Sequence, residues 1–479
     1  MQLFFDLEQR LLDVVKWPPW ALRTILVLSC IIGFISLLQT IVSSSSSALS
    51  GDFTKSEKSI AIKTMKSFRL FQVQYLTVYL IIMLADWLQG TNMYTLYSSY
   101  GVDVGTLFLT GFLSSAVFGT VLGMYVDTWG RKLGCIVFCL LEILINLMEH
   151  IPSMPCLLVG RVLGGLSTSL LFTAFESWMV AEHRKRGYPE SLLSSTFSIS
   201  SWGNGFVAIL AGFLAQFSAD VSGDIGPFQL AIALTVLSLV LILFWNENYG
   251  TADGTDPSKN DNNASPPQSL LETVSTGLRL VRESPVILFL GLSQAFFEGA
   301  VYSFVFMWVP SLLSVNTGSL PTGLVFSAFM LAMTAGGMLF GLLLPVFPGD
   351  AEGLCGAVYL LAAASMLVPV FFFDFWSVLV SFLVLEAMVG MFNSCGATLR
   401  SRYYPESMQS SIMSVFRLPL NLLVVIGTKM TNNASDKSAL QVVFAVLASM
   451  HLVAALLQGL LLMTVRQRID VPSKLNKIE

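Results

Sequence analysis

The chain has 479 residues, 54% of them hydrophobic and only 12% charged, with a formal net charge of −4 at pH 7. Soluble domains carry roughly 25% charged residues, so the composition excludes an ordinary water-soluble fold. The slightly acidic balance gives no reason to expect a nucleic-acid partner.

The hydrophobic residues fall in runs of about 20, each enough to cross a hydrocarbon core of about 30 Å as a helix. A bilayer offers no hydrogen bonds to open backbone, so such runs must be helical. The first is expected over about 21–42, behind a leader that carries Asp6, Glu8 and Asp13. Those acids are unlike a cationic signal n-region. The helix is therefore read as a retained thirteenth span with its N-terminus outside; cleavage after the following serine run is the alternative. Six spans follow at 71–94, 104–125, 133–150, 155–178, 192–215 and 227–245. From Asp253 the sequence runs DGTDPSKNDNNASPP, without an apolar face, and reads as a flexible cytoplasmic linker. Six more spans are expected at 286–310, 321–345, 353–373, 376–398, 409–430 and 438–464. The expected fold class is an all-α polytopic membrane protein of two pseudo-symmetric six-helix bundles plus one extra N-terminal transmembrane helix. The segments are 1–67 (leader, extra helix, cytoplasmic linker), 68–245 (first bundle), 246–285 (linker), 286–465 (second bundle) and 466–479 (tail).

Basic residues orient these spans. One set of loops holds Lys55, Lys58, Lys63, Lys66, Arg69, Arg131, Lys132, Arg184, Lys185, Arg186, Lys259, Arg279, Arg282, Arg400 and Arg402, with Arg466, Arg468, Lys474 and Lys477 in the tail. The opposite loops between core spans hold Lys437. Linker and tail are thus expected in the cytoplasm. The sequon at Asn433 then lies on the far side and that at Asn263 does not. The cysteines, Cys30, Cys135, Cys139, Cys156, Cys355 and Cys395, sit in or beside apolar runs, so no disulfide framework, metal site or cofactor is read.

An internal repeat is visible. YPESLLSSTFS begins at Tyr188 and YPESMQSSIMS at Tyr404, seven of eleven positions identical and 216 residues apart. Leu88-Gln89-Gly90 and Phe297-Glu298-Gly299 match with a separation of 209. Same-sense matches of this kind are what parallel transporter repeats produce.

Ionisable side chains at membrane depth are costly and tend to face a cavity or a partner. Six stand out: Asp86, Glu142, Arg161, Glu298, Glu386 and Arg417. Asp86 and Arg161 lie at similar depth on the first and fourth core helices. Glu298, Glu386 and Arg417 lie deeper on the seventh, tenth and eleventh. Two guanidiniums at a shared cavity would suit an oxyanion, because arginine presents a planar fork of donors. The alternative is that Asp86–Arg161 and Glu386–Arg417 are ion pairs holding helices in register. Glu298 shares a helical face with Gln294 and is the candidate for proton coupling; accepting hydrogen bonds from neighbouring helices is its plainer role. Gln89 matches Glu298 across the repeat and is a cavity candidate too. Glu142, on a helix expected at the periphery, is ranked last. Glu176 is read as a possible inner-gate acid beside His183 or Arg184. No nucleotide-binding loop and no nucleophile–base pair is seen, so neither ATP-driven transport nor enzyme activity is expected.

The stretch Gly119-x3-Gly123-x3-Asp127-Thr-Trp-Gly130-Arg131-Lys132 resembles the major facilitator signature G-x3-D-x2-G-R-[RK]. In that superfamily acid and base clamp the cytoplasmic ends of neighbouring helices. Gly123, Asp127, Gly130, Arg131 and Lys132 would form this gate. In the second half Gly337 and Gly341 recur ahead of Asp350, without the basic pair. More narrowly, LADWLQ (Leu84 to Gln89), GRVLGGLSTSLLFTAFESW from Gly160, QAFFE from Gln294 and FRLPL from Phe416 resemble the eukaryotic molybdate-anion transporter family. The resemblance covers about 68–463. It implies a major facilitator fold and secondary uptake of a small oxyanion, molybdate, by alternating access around a midplane site. A proton-coupled carrier of a neutral or cationic solute and a non-transporting sensor or scaffold are the alternatives. The expected partners are that anionic solute and membrane lipid, with no nucleic acid and a monomer favoured. The plasma membrane is favoured over endomembranes.

Overall fold

The computed structural model describes residues 17–43, 55–118, 126, 129–249, 278–316, 318–348, 350–405, 409–432 and 436–475. The helices are α1 Pro19–Ser43, α2 Lys55–Ser99, α3 Val104–Phe118, α4 Arg131–Met148, α5 Met154–Leu171, α6 Ala174–Lys185, α7 Glu190–Ser222, α8 Gly226–Leu243, α9 Pro285–Val315, α10 Thr322–Leu343, α11 Asp350–Phe371, α12 Phe375–Tyr403, α13 Gln409–Asn432 and α14 Lys437–Leu475. Among the described residues nine helical segments are long and apolar enough to cross a membrane.

One expected span, 155–178, is broken between α5 and α6 at Phe172 and Thr173. The cause is local. The hydroxyls of Thr168, Ser169 and Thr173 donate to the carbonyls of Gly164, Gly165 and Ser169, at 2.8–2.9 Å. Such bonds compete with the helix ladder and bend it.

The chain divides into two compact units: Ser43–Pro267, and Met1–Val42 together with Gln268–Glu479. The first helix thus falls in the unit that holds the second six-helix half. Gln39 on α1 donates its amide to the Met338 carbonyl on α10 at 2.7 Å. Trp20 packs edge-on against Phe375 and Trp376 at the start of α12, centroids 4.9 and 6.1 Å away.

Each unit repeats one packing scheme. In Ser43–Pro267, α2 packs on α7 and α8, α3 on α5, and α4 on α5 and α8. In the other unit α9 packs on α13 and α14, α10 on α12, and α11 on α12 and α14. The correspondence runs in the same chain order, as the repeated YPES segments require. Small residues set the closest approaches, as is usual where lipid supplies no hydrophobic drive. A β-carbon at Gly165 on α5 would strike Ser114 and Ser115 on α3; at Gly336 it would strike the Ala387 carbonyl, and at Gly390 the Met333 carbonyl.

The signature glycines at 119 and 123 and Asp127 lie outside the described residues. The rest of the signature forms a reciprocal cap between α4 and α8. Glu247 accepts the backbone N–H groups of Lys132 at 2.8 Å and Leu133 at 3.0 Å, two donors that the first turn of a helix leaves unpaired. Lys132 donates its ammonium to the Leu243 carbonyl at 2.9 Å, at the other helix's C-terminal end. The Arg131 N–H reaches the Asn248 carbonyl at 3.0 Å. Gly130 has φ 120°, and a β-carbon there would lie 2.8 Å from the Glu247 carboxyl carbon. Only glycine fits this turn. In the second unit Arg402 takes over the clasp, binding Asp350 and Glu352 at 2.9 Å each. Tyr403 also bonds Glu352.

Candidate solute-binding cavities

Among the described residues, each unit holds a polar cavity. In Ser43–Pro267 a space of about 290 Å³ is lined by Asp86, Gln89 and Met93 of α2, Gly111 and Ser115 of α3, Glu142 and Ile145 of α4, and Arg161, Gly164 and Thr168 of α5. The spacing of three or four within each helix places these residues on one face. Glu142 is its buried hub. It accepts from the Ser167 hydroxyl at 2.6 Å, the Gln89 amide at 3.0 Å and the Asn146 amide at 3.4 Å. Arg161 is already engaged. Its guanidinium binds Glu149, just past the end of α4, and that carboxylate also accepts the Tyr97 hydroxyl at 2.8 Å. Arg161 further contacts the Met93 sulfur at 3.1 Å and lies 5.6 Å from the Tyr97 ring centroid.

This changes the expected pairing. Asp86 and Arg161 share the cavity, but the ion pair of Arg161 is with Glu149. Arg161 reaches Met93 and Tyr97, which lie seven and eleven residues beyond Asp86, about 10 and 16 Å along the helix.

In the other unit a cavity of about 180 Å³ is lined by Gly291, Gln294, Glu298 and Tyr302 of α9, Arg400 at the end of α12, Tyr404, and Phe416 and Arg417 of α13. Arg400 donates to the Gln294 oxygen at 3.0 Å, and the Gln294 amide lies 3.5 Å from the Gly396 carbonyl. Arg417 is exposed and Glu298 half-buried, and both line the cavity. Neither forms an ion pair with a described residue. Phe416 rests on Gly291, where a β-carbon would collide with its ring. Pro419 sits within α13 two residues beyond Arg417.

Gln294, Glu298 and Arg417 thus come together as expected. Glu386 does not join them. It is 6% exposed on α12, with one carboxylate oxygen unbonded. Fourteen residues separate it from Arg400, about 21 Å of helix, so the expected Glu386–Arg417 pair is not formed. Glu176 is exposed on α6. Its expected partner His183 is buried and bonds the Pro189 carbonyl at 3.1 Å, while Arg186 pairs with Glu182 at 2.8 Å. Gln89 bonds Glu142, which the sequence reading had placed at the periphery.

Four lining or pairing groups are not apparent from the sequence pattern: Glu149, Arg400, Tyr302 and Tyr404. Arg400 reads in the sequence as a cytoplasmic loop charge, yet it belongs to α12 and to the cavity. A signal for the α4 face existed. Glu142, Asn146 and Glu149 recur at i, i+4 and i+7, a polar stripe that a lipid-facing helix would not carry.

Two same-order helical repeats, each with a polar cavity among apolar helices, are the architecture of a membrane transporter of the major facilitator type. Solved structures bear out the fold. The D-xylose–proton symporter aligns with a TM-score of 0.63 at 14% identity, covering 81% of this chain and 97% of that one. A bacterial homologue of the human lysosomal transporter Spinster aligns at 0.61 and 13%, covering 83% and 97%. At the sequence level, residues 42–383 match the MFS_5 family, described as sugar transporters with 12 TM, and the chain belongs to that family. Among its relatives, the molybdate-anion transporter of Xenopus tropicalis is 32% identical over 408 residues, spanning 81% of this chain and 85% of that protein. That of Danio rerio is 32% identical over 396 residues, spanning 75% and 79%. The chain is a transporter and not an enzyme.

Proposed function

We propose that the protein is a secondary transporter of a small tetrahedral oxyanion, molybdate foremost, and that the cavity of Arg400 and Arg417 binds it. The observation that carries this is a difference in charge between the two cavities. In the first, Arg161 is neutralised by Glu149, and Asp86 and Glu142 add two more acids. In the second, two guanidiniums face one carboxylate, Glu298, without closing an ion pair on it. An anion entering there gains charge-assisted hydrogen bonds, and the hydroxyls of Tyr302 and Tyr404 add neutral donors. The relatives named as molybdate-anion transporters point to the same class of solute. The basic loop residues support a cytoplasmic linker and tail, and the length and apolarity of α1 support a thirteenth span.

The test is uptake into liposomes under an imposed pH gradient, with molybdate, sulfate, phosphate and neutral solutes as competitors. Molybdate flux is expected, with competition by tetrahedral anions and its loss in Arg417→Gln protein. Normal flux through a well-folded Arg417→Gln variant would overturn the assignment. A second reading, a carrier of a neutral or cationic solute, has the acidic first cavity in its favour. Competition by such solutes, with none by oxyanions, would establish it instead.

A further inference from the structure

The second cavity holds a charge surplus too small for a doubly charged ligand, and that has a chemical consequence. With its acid ionised, the trio of Arg400, Arg417 and Glu298 carries a single positive charge. A dianion would leave the filled cavity with a net negative charge among apolar helices, and one of its oxygens would face a carboxylate with no proton between them. Resting on the oxyanion reading above, we infer that Glu298 takes up a proton when the dianion binds. The loaded site then holds two guanidiniums, one doubly charged anion and one neutral carboxylic acid, and its charges sum to zero. The acid's O–H becomes a donor to an anion oxygen where the carboxylate would have repelled it.

The surroundings leave Glu298 as the group able to do this. On its own helix it is flanked by Gln294 and Tyr302. The α12 side offers Arg400 and, beyond it, the Cys395 thiol; Tyr404 follows the end of that helix. Arg417 comes from α13. From α14 come His451, whose ring lies 5.0 Å from that of Phe297 and is fully buried, and the neutral Gln458. Behind Phe297 stands the buried Tyr359 of α11, its ring 5.0 Å away. Among these, Glu298 alone is both an acid and a lining residue of the cavity. Its counterpart in the repeat, Gln89, carries no charge. The asymmetry puts proton uptake in the same half as anion binding.

Molybdate suits the test because it is a fully ionised dianion around neutral pH and brings no proton of its own. Calorimetric titration of the purified full-length protein with sodium molybdate, in two buffers of different ionisation enthalpy at several pH values, counts the protons taken up. For the wild type, about one proton per anion is expected, with affinity falling by up to tenfold per pH unit as pH rises. Glu298→Gln should bind molybdate with no proton uptake and a flat pH profile, and Glu298→Asp should restore both. Molybdate binding by the wild type without proton uptake would overturn the inference while leaving the anion site intact, as would uptake that persists in Glu298→Gln. If the wild type binds no tetrahedral oxyanion at all, the proposed function fails with it.

Discussion

Arg161 and Arg417 looked alike in the sequence, one arginine at membrane depth in each half, yet their surroundings give them different work. Arg161 is 12% exposed and its partner Glu149 is 1% exposed, so removing the guanidinium strands a buried carboxylate. Breaking such a pair from one side costs about 3–5 kcal/mol, whereas replacing both partners costs far less. Arg161→Gln should therefore lower the thermal unfolding temperature in detergent sharply, and Arg161→Gln with Glu149→Gln should recover much of the loss. Arg417 and Arg400 have no buried acid to strand. Their glutamine variants should unfold near the wild-type temperature and weaken molybdate binding tenfold or more, about 1.4 kcal/mol or above. The reverse pattern, with stability lost at Arg417 and affinity lost at Arg161, would move the anion to the other cavity.

Elements make contact here through small residues and caps, and both can be tested. Gly336→Leu or Gly390→Leu drives a side chain into the backbone of the facing helix, so neither variant should give a monodisperse, folded protein. A β-carbon at Gly33 on α1 would meet nothing within 4 Å, so Gly33→Ala should leave the protein folded and change stability by no more than about 1 kcal/mol. At the reciprocal cap, Glu247→Ala removes the acceptor for two N-terminal donors of α4 and should cost about 1–2 kcal/mol in thermal unfolding. The helices themselves were legible in the sequence because a bilayer requires long apolar runs to be helical. So was their pairing into two like bundles, through Tyr188 and Tyr404. What stayed hidden was azimuth. Residue counts give Asp86 and Arg161 similar depth, but only the side-chain contacts of Tyr97, Met93 and Glu149 show that the guanidinium turns toward Glu149. The break at Phe172 arises from hydroxyl-to-carbonyl bonds that a hydropathy profile does not register. The repeat itself also misleads at one place. Tyr404 lines its cavity, whereas Tyr188 is buried against Phe68 and Phe71 with its hydroxyl 2.8 Å from that of Ser67.

For the molecule as a whole, two like bundles carry unlike sets of charged groups, and the proposed anion site makes binding and turnover separable by experiment. The first cavity combines Asp86, Glu142 and the Arg161–Glu149 pair, a set with more acids than bases. The second has two guanidiniums to one carboxylate, the balance the proposed anion site needs. If anion affinity resides in the second cavity alone, neutralising Asp86 should leave molybdate affinity nearly unchanged, within about threefold or 0.7 kcal/mol. Flux is a different quantity, because a carrier must also rearrange, and a polar group in either half can contribute to that equilibrium. Asp86→Asn is therefore expected to hold affinity while slowing uptake in liposomes, and Arg400→Gln to lose affinity first. Binding measured by calorimetry and flux measured on the same preparation separate the two effects. A tenfold gain in affinity in Asp86→Asn would mean that the acid had been opposing the anion directly, and the anion would then have to approach both sets of charges.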